Sequence, residues 1–175
     1  MLRTISAVLS AVLGLVLVAP AATAAPVACA PVDWGSGDKH AYEGQAPYLT
    51  DIRAGRHECY DRLVFDIAGT PGGYTARYVP EITHDASGEP IPVRGGGKIQ
   101  VTTYSPAYDE NFDPTYEYDD PMELVDVTGY TTFRQVVWAG SWEGTTSVGL
   151  GVRARLPFRV LVLTDRLVVD VAHTW

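Results

Sequence analysis

A heptad of alternating apolar and charged residues occurs twice in this 175-residue chain. Residues 61–67 (DRLVFDI) and residues 165–171 (DRLVVDV) are identical at five of seven positions. Strict alternation is typical of a half-buried β-strand, so each copy predicts a strand with one apolar face and one mixed face. Chance similarity between two amphipathic strands is the alternative.

The repeat also predicts how the two strands are arranged. They are either related by a pseudo-two-fold axis or paired directly. If they pair, antiparallel alignment with Val64 opposite Val168 brings opposite charges together, whereas parallel alignment brings like charges together. The opposed pairs are then Arg62 with Asp170 and Asp66 with Arg166. In either arrangement six apolar side chains are expected in one shared core: Leu63, Phe65, Ile67, Leu167, Val169 and Val171.

The chain beyond about residue 49 has the same character, with short apolar runs separated by Gly, Pro and Asp. Many short strands with frequent turns predict an all-β domain, either a sandwich or a barrel. Residues 25–48 are rich in Pro, Gly, Ala and Ser and are expected to be mostly irregular. The strong strand candidates are 60–68, 74–84, 97–104, 130–139, 145–153, 157–164 and 166–173, and the weaker ones are 49–56 and 123–128.

The N-terminus has the pattern of an export signal. Arg3 is followed by an apolar run of about 14 residues, whereas a membrane-spanning helix needs about 20. Small residues follow, and residues 22–24 (ATA) fit a cleavage site. We therefore expect a secretory signal peptide over residues 1–24 and a mature domain over residues 25–175. An uncleaved anchor and a lipid-modified Cys29 are the alternatives.

Two cysteines, Cys29 and Cys59, lie in the predicted mature domain. In an exported protein an even number of cysteines usually indicates a disulfide. Closing a loop of this length is worth about 3–4 kcal/mol in the chain-entropy model. We expect the bond to attach the N-terminal segment to the first strong strand. A Cys/His nucleophile that uses the nearby His57 is the alternative.

The net charge of −8 limits the possible partners. Nucleic acid and anionic lipid both require a basic surface, so we expect no nucleic-acid partner and no docking on an anionic membrane. No second apolar run of membrane length follows the signal, so we expect no stable membrane insertion after signal cleavage.

The sequence contains no motif for catalysis or cofactor binding. A nucleophile elbow (G-x-S-x-G), a zinc motif and a phosphate-binding glycine loop are all missing, so we expect no catalytic residue, no metal site and no cofactor. In the acidic stretch 109–120, Asp109, Asn111 and Asp113 have calcium-loop spacing, but Pro114 stands where the loop needs glycine. A solvated acidic loop is therefore expected there, with calcium binding and a pair of glycosidase carboxylates as the alternatives.

Aromatic residues are concentrated in the same half of the chain. Aromatic rings stack on the apolar faces of sugars, and neighbouring carboxylates and amides accept hydrogen bonds from sugar hydroxyls. Burial of most of these rings in the β core is the alternative. We select four rings as candidate ligand-binding residues: Tyr104, Tyr108, Trp138 and Trp142.

Several segments resemble a known family. Residues 61–67 and 157–171 resemble strand motifs of AMIN domains, and the order of further motifs resembles the AMIN-like domain of secreted or lipid-anchored actinobacterial proteins. Those motifs are residues 51–64 (DIRAGRHECYDRLV), 74–79 (YTARYV), 129–136 (GYTTFRQV) and 148–153 (VGLGVR), with Cys29 and residues 34–35 (WG) upstream. The resemblance implies a β-sandwich located in the envelope or outside the cell, without known catalysis. It implies peptidoglycan binding only for the better-studied relatives, and it carries over no binding residues.

These observations together predict an AMIN-like all-β sandwich with an irregular N-terminal segment that is held by a disulfide. The expected function is a secreted, non-catalytic module that binds the cell envelope. Its partner is expected to be peptidoglycan or another cell-wall glycan, or an envelope protein. A secreted hydrolase of wall polymers, and a structural or protein-interaction domain without glycan affinity, are the alternatives.

Overall fold

The structure is a computed structural model that describes residues 29–42, 44 and 47–175. The predicted signal peptide, residues 1–24, lies outside the described residues. Across the described ranges, no helix is both long enough and apolar enough to cross a membrane.

The predicted all-β fold class is confirmed. Within the described ranges the chain forms eleven strands. In chain order they are β1 Lys39–Tyr42, β2 Leu49–Arg56, β3 Tyr60–Ile67, β4 Gly73–Tyr78, β5 Ile82–Thr83, β6 Pro90–Ile91, β7 Gly97–Thr103, β8 Phe133–Trp142, β9 Thr145–Val152, β10 Phe158–Leu163 and β11 Arg166–Ala172.

The strands form two antiparallel sheets that pack as a sandwich, and one small hairpin. The larger sheet has the order β1-β4-β7-β9-β8, the smaller sheet has the order β10-β11-β3-β2, and β5 pairs with β6. The inner faces of the two sheets enclose one apolar core, in which Phe65, Phe133 and Phe158 are fully buried. The core follows from strand alternation, because every second side chain of a strand points to the same face.

The two heptads pair directly with each other as β3 and β11. They are antiparallel, with Val64 opposite Val168, so the predicted register is confirmed. Arg62 consequently lies opposite Asp170, and Asp66 opposite Arg166. All six apolar side chains of the repeat are buried in the same core, as predicted: Leu63, Phe65, Ile67, Leu167, Val169 and Val171.

The outer face of the smaller sheet carries a buried carboxylate. Asp170 is fully buried and accepts hydrogen bonds from Arg62 Nε (2.6 Å), Arg62 Nη2 (2.8 Å) and Arg159 Nε (2.8 Å). The hydrogen bond with Asp170 raises the pKa of Arg62. The Trp34 ring lies over Arg159, 4.2 Å from its guanidinium carbon, and packs edge-on against Tyr60. The N-terminal segment therefore covers this ion cluster with an aromatic ring.

Cys29 and Cys59 form the predicted disulfide, with Cα atoms 5.3 Å apart. The bond attaches the N-terminal segment at the start of β3 and excludes Cys59 as a free nucleophile. Residues 29–38 are irregular, as expected, whereas the sequence does not predict β1, which pairs with β4 at the edge of the larger sheet.

Most strand predictions agree with the structure, including the weaker one over residues 49–56, which is β2. The strand predicted over residues 123–128 is wrong. Asp120 and Asp126 each accept a hydrogen bond at 2.8 Å from a backbone N–H two residues further on. Such local bonds favour turns over a sheet ladder.

Two further predicted strands have different boundaries in the structure. The strand predicted over 130–139 begins at Phe133, because the N–H groups of Thr132 and Phe133 bind the Asp61 carboxylate at 2.5 and 3.1 Å. The strand predicted over 74–84 is interrupted after Tyr78, and β5 begins only after Pro80.

Glycines in β9 let the β5–β6 hairpin pack directly on the outer face of the larger sheet. A Cβ atom at Gly149 would lie 2.7 Å from side-chain atoms of Ile82 and Val137, and one at Gly151 would overlap the backbone carbonyl of Arg94. The hairpin thereby buries a second, smaller apolar cluster, which consists of Ile82, Ile91, Val93, Val137 and Ala139.

Candidate ligand-binding site

The β8–β9 hairpin presents a tryptophan at its tip. The two loop residues, Glu143 and Gly144, have φ angles of 48° and 81°. Two residues with positive φ are typical of a tight two-residue hairpin loop, which fits the twist of the flanking strands. The turn leaves Trp142, the last residue of β8, 60% exposed.

The loop after β7 is attached to this hairpin by hydrogen bonds. Ala107 N donates to Ser141 Oγ at 2.9 Å, and Gly144 N donates to the Tyr108 hydroxyl at 3.0 Å. Thr146 Oγ1 also donates to the Ser105 carbonyl at 2.8 Å. The rings of the loop are therefore held at a fixed position relative to the tip of the hairpin.

A turn within the same loop places a phenylalanine at the surface. The Asp109 carboxylate accepts hydrogen bonds from the N–H groups of Asp113 (3.0 Å) and Asn111 (2.8 Å), which lower the pKa of Asp109. Phe112 adopts a φ of 65° and is 78% exposed. Asp109 Oδ1 thus closes the turn, so the calcium-loop spacing of this stretch has a structural role.

These two elements form a depression that we call the aromatic slot, lined by Tyr108, Phe112, Ser141, Trp142 and Glu143. It encloses about 300 Å³. The Tyr108 and Phe112 rings stack with centroids 5.6 Å apart and an interplanar angle of 19°. Among the described residues, Phe112 and Glu143 are the non-glycine residues with positive φ, and both line the slot.

A second depression adjoins the slot and shares Ser141 and Trp142 with it. It encloses about 380 Å³, and its lining combines apolar surface with the hydrogen-bonding side chains of His84, Asp85, Ser87 and Glu89. Trp142 therefore lines both a mostly aromatic depression and one of mixed character. This combination suits an amphipathic ligand with an apolar face and polar edges.

The structure separates the four predicted binding residues into three places. Tyr108 and Trp142 share the aromatic slot. Trp138 is half-buried and packs against Tyr116 and Tyr118, with ring centroids 5.8 and 5.0 Å away. Tyr104 packs edge-on against the exposed Tyr42 at 5.4 Å.

Phe112 and Glu143 were not selected from the sequence as binding residues. The Glu-Gly pair at the hairpin loop is a turn signal that was present in the sequence. The position of Phe112 over the slot depends on a turn conformation that no local pattern specifies.

The structure also contains a buried pair of titratable residues that the sequence analysis did not identify. His173 Nε2 lies 3.1 Å from Asp61 Oδ1, and His173 Nδ1 lies 3.1 Å from the Glu58 carbonyl oxygen. Both ring nitrogens are thus engaged, and the pair connects the end of β11 with the start of β3.

His57 instead stacks on the Tyr60 ring, with centroids 4.4 Å apart. Over residues 29–42, 44 and 47–175, no three His, Cys, Asp or Glu side chains form a cluster that could hold a metal ion.

Comparison with family models gives one finding. The model of the AMIN-like domain matches residues 47–173. Searches of curated proteins and of solved structures return no match. The matched range runs from β2 to β11 and includes both heptads, the disulfide-bonded Cys59 and the aromatic slot. The chain therefore belongs to the AMIN-like domain family.

Proposed function

We propose that this chain is a secreted, non-catalytic module that binds a cell-wall glycan through the aromatic slot. Membership of the AMIN-like family supports a role in the cell envelope. The signal-peptide pattern of residues 1–24 and the disulfide support export, because disulfides persist in oxidising compartments.

The aromatic slot is the observation that carries the glycan proposal. An exposed tryptophan, a stacked Tyr–Phe pair and two positive-φ residues meet at one place, and hydrogen bonds attach the loop after β7 to the tip of the β8–β9 hairpin. A pyranose ring presents an apolar C–H face that packs on an aromatic ring, while its hydroxyls project outward. A rigid aromatic surface binds with a low loss of conformational entropy.

The charges around Trp142 favour a neutral sugar over an anionic polymer. Glu143, Asp85 and Glu89 all line the two depressions and can accept hydrogen bonds from sugar hydroxyls. The same carboxylates repel phosphate and uronate groups, as does the net charge of −8.

Co-sedimentation of the mature protein with purified insoluble peptidoglycan tests this proposal. Trp142→Ala should weaken binding by about twofold to twelvefold, since one aromatic stacking contact is worth about 0.5–1.5 kcal/mol. Trp175→Ala is the matched control, because Trp175 is 61% exposed and does not line the slot. Equal retention of the two variants would refute the assignment of the slot. No retention of the unmodified protein would favour an envelope protein as partner.

The non-catalytic part of the proposal is tested separately. The same incubation should release no soluble sugar or peptide fragments from the wall material. Release of fragments that disappears on replacing Asp119, Asp120 or Glu123 would identify the chain as a wall hydrolase and overturn the non-catalytic proposal.

A further inference from the structure

A second pocket, distinct from the aromatic slot, opens between the start of β2 and the segment that follows the slot loop. It encloses about 610 Å³. Its lining combines two tyrosines, three carboxylates and a few apolar side chains. These residues are Asp51, Ile52, Pro114, Tyr116, Glu117, Tyr118, Asp119 and Leu124. We call it the tyrosine–carboxylate pocket.

The carboxylates of this pocket have no cationic partner among the described residues. Asp51, Glu117 and Asp119 are exposed, and none of them forms a salt bridge within that part of the chain. Arg53 is close in sequence but binds Asp66 through Nε at 2.5 Å and Nη2 at 3.0 Å. Three carboxylates therefore line one cavity without a salt bridge to a described residue, although Asp51 accepts a hydrogen bond from Ile52 N at 2.9 Å and its charge acts on Arg53.

The tyrosines supply a hydrogen-bonding group that is available to a ligand. Tyr116 is only 9% exposed and lines the pocket. The fully buried side-chain atoms without a partner among the described residues are Thr103 Oγ1 and Ser105 Oγ, so the unpartnered Tyr116 hydroxyl is open to the pocket. Burial, with the nearby Asp51 charge and the Tyr118 phenol, raises the pKa of Tyr116 to about 12. The hydroxyl therefore stays protonated, and its oxygen keeps free lone pairs to accept a hydrogen bond.

The aromatic faces also favour an organic cation. The Tyr116, Tyr118 and Trp138 rings cluster with centroid separations of 5.0 to 6.0 Å. Rings attract ammonium groups through their negative faces, and neighbouring carboxylates strengthen the attraction. Calcium, in contrast, requires six to eight oxygen ligands, and the described residues hold no cluster of three metal-ligating side chains.

We propose that the tyrosine–carboxylate pocket binds a primary ammonium group carried on an aliphatic chain or a sugar ring. The three N–H bonds of the ammonium match carboxylate and phenol oxygens, whereas a quaternary ammonium has no hydrogen to donate. Ile52, Pro114 and Leu124 provide apolar contacts for the carbon atoms that carry the ammonium. This site is separate from the aromatic slot and does not depend on glycan binding there.

The experiment is an NMR titration of the mature protein with two pairs of small molecules. Nα-acetyl-lysine methylamide is compared with its Nε-acetylated form, and glucosamine with N-acetylglucosamine. The charged member of at least one pair should shift the ring resonances of Tyr118 saturably, and its acetylated counterpart should not. The pair that responds identifies whether the ammonium comes from an amino-acid side chain or from an amino sugar.

Variants assign the binding to this pocket. Asp119→Asn and Glu117→Gln should each weaken binding about twofold to fivefold. Tyr116→Phe removes only the hydroxyl, keeps the buried ring and should also weaken binding. Glu81→Gln removes one charge from an exposed residue outside the pocket and should leave binding unchanged.

Three outcomes would overturn the proposal. One is that neither ammonium compound shifts the Tyr118 ring. The second is that acetylated and charged compounds bind equally well. The third is that calcium chloride produces the same saturable shifts and displaces the ammonium compound. Glycan retention by the aromatic slot is measured separately, so failure of one site does not imply failure of the other.

Discussion

Replacing Asp170 by alanine should destabilise the domain much more than the same change at Asp66. The two aspartates occupy equivalent positions in the two heptads and lie on the same outer face of the smaller sheet. Asp170 has a fully buried side chain with three charge-assisted hydrogen bonds to Arg62 and Arg159. The Asp66 side chain is 24% exposed, and its main partner, Arg53, is 47% exposed.

The magnitude follows from burial. Removing one partner of a buried ion pair costs about 3–5 kcal/mol, because the remaining charge loses its compensation. The side chains of Arg62 and Arg159 are 25% and 35% exposed, so water rehydrates them in part. We therefore expect a loss of about 3 kcal/mol for Asp170→Ala, at the low end of that range. An exposed ion pair is worth about 1 kcal/mol or less, which sets the expected loss for Asp66→Ala.

Thermal and urea unfolding of the two variants measure this difference. For a domain of this size, 1 kcal/mol corresponds to about 2–4 °C in Tm, so Asp170→Ala should lower Tm by about 6–12 °C. High salt should reduce the loss for Asp66→Ala and leave that for Asp170→Ala nearly unchanged, because buried charges are poorly screened. Equal losses for the two variants would refute the reasoning, since burial would then have no effect.

Four further results are expected. The unfolded, non-reduced secreted protein should contain no titratable thiol, and replacing both Cys29 and Cys59 by serine should cost about 3–4 kcal/mol in urea unfolding. Phe65→Ala should cost about 3–5 kcal/mol in the same assay, because the ring is fully buried in the shared core; a loss below about 1 kcal/mol would contradict that core. Gly151→Ala should cost about 1–3 kcal/mol, because the added Cβ meets the backbone of Arg94; unchanged stability would show that the segment after β6 does not pack on Gly151. Hydrogen bonds lower the pKa of Asp109 in the folded protein, so this carboxylate stabilises the slot turn fully above its unfolded pKa of about 3.9 and loses that effect as the pH falls through its folded pKa. The amide resonances of Asn111 and Asp113, which bond to the carboxylate, should shift over this pH range. Resonances that do not change with pH would contradict the turn.

The sequence predicts the two central strands of the smaller sheet and their register if they pair, but it leaves open whether they pair directly. Apolar alternation defined the inner face of each heptad, and the Arg and Asp positions distinguished antiparallel from parallel pairing. The disulfide followed from the number of cysteines in a chain with the pattern of an export signal. These features are specified by a few residues each and depend little on the rest of the fold.

The sequence predicted Trp138 and Trp142 together as binding residues, but of the two only Trp142 lines the aromatic slot. The reason is a change in strand geometry between the two residues. They lie four residues apart in β8, so strict alternation would place both on one face. The register of β8 with β9 shifts between Trp138 and Gly140, which indicates a bulge. A bulge reverses the alternation of the residues that follow it. Trp142 is consequently exposed at the hairpin tip, while Trp138 packs against Tyr116.

The slot loop was beyond sequence analysis for a related reason. The stacking of Phe112 on Tyr108 depends on a turn closed by Asp109 and on hydrogen bonds to a hairpin more than 30 residues further along the chain. The contacts between the loop and the hairpin join residues that are far apart in sequence, so they depend on the tertiary fold. The aromatic and acidic residues of the loop have no regular spacing from which these contacts could be predicted.

The indole region of a ¹H–¹⁵N spectrum tests the central claim most directly. The chain has four tryptophans, and each occupies a different environment: Trp34 over Arg159, Trp138 beside Tyr118, Trp142 in the aromatic slot, and Trp175 bonded to the Arg155 carbonyl. The mature protein is titrated with oligomers of N-acetylglucosamine, which carry the N-acetylated sugar rings of a wall glycan without any charge. The account predicts that the Trp142 indole resonance shifts saturably while the other three stay in place. Saturable binding that leaves Trp142 unmoved, or no binding at all, would contradict it.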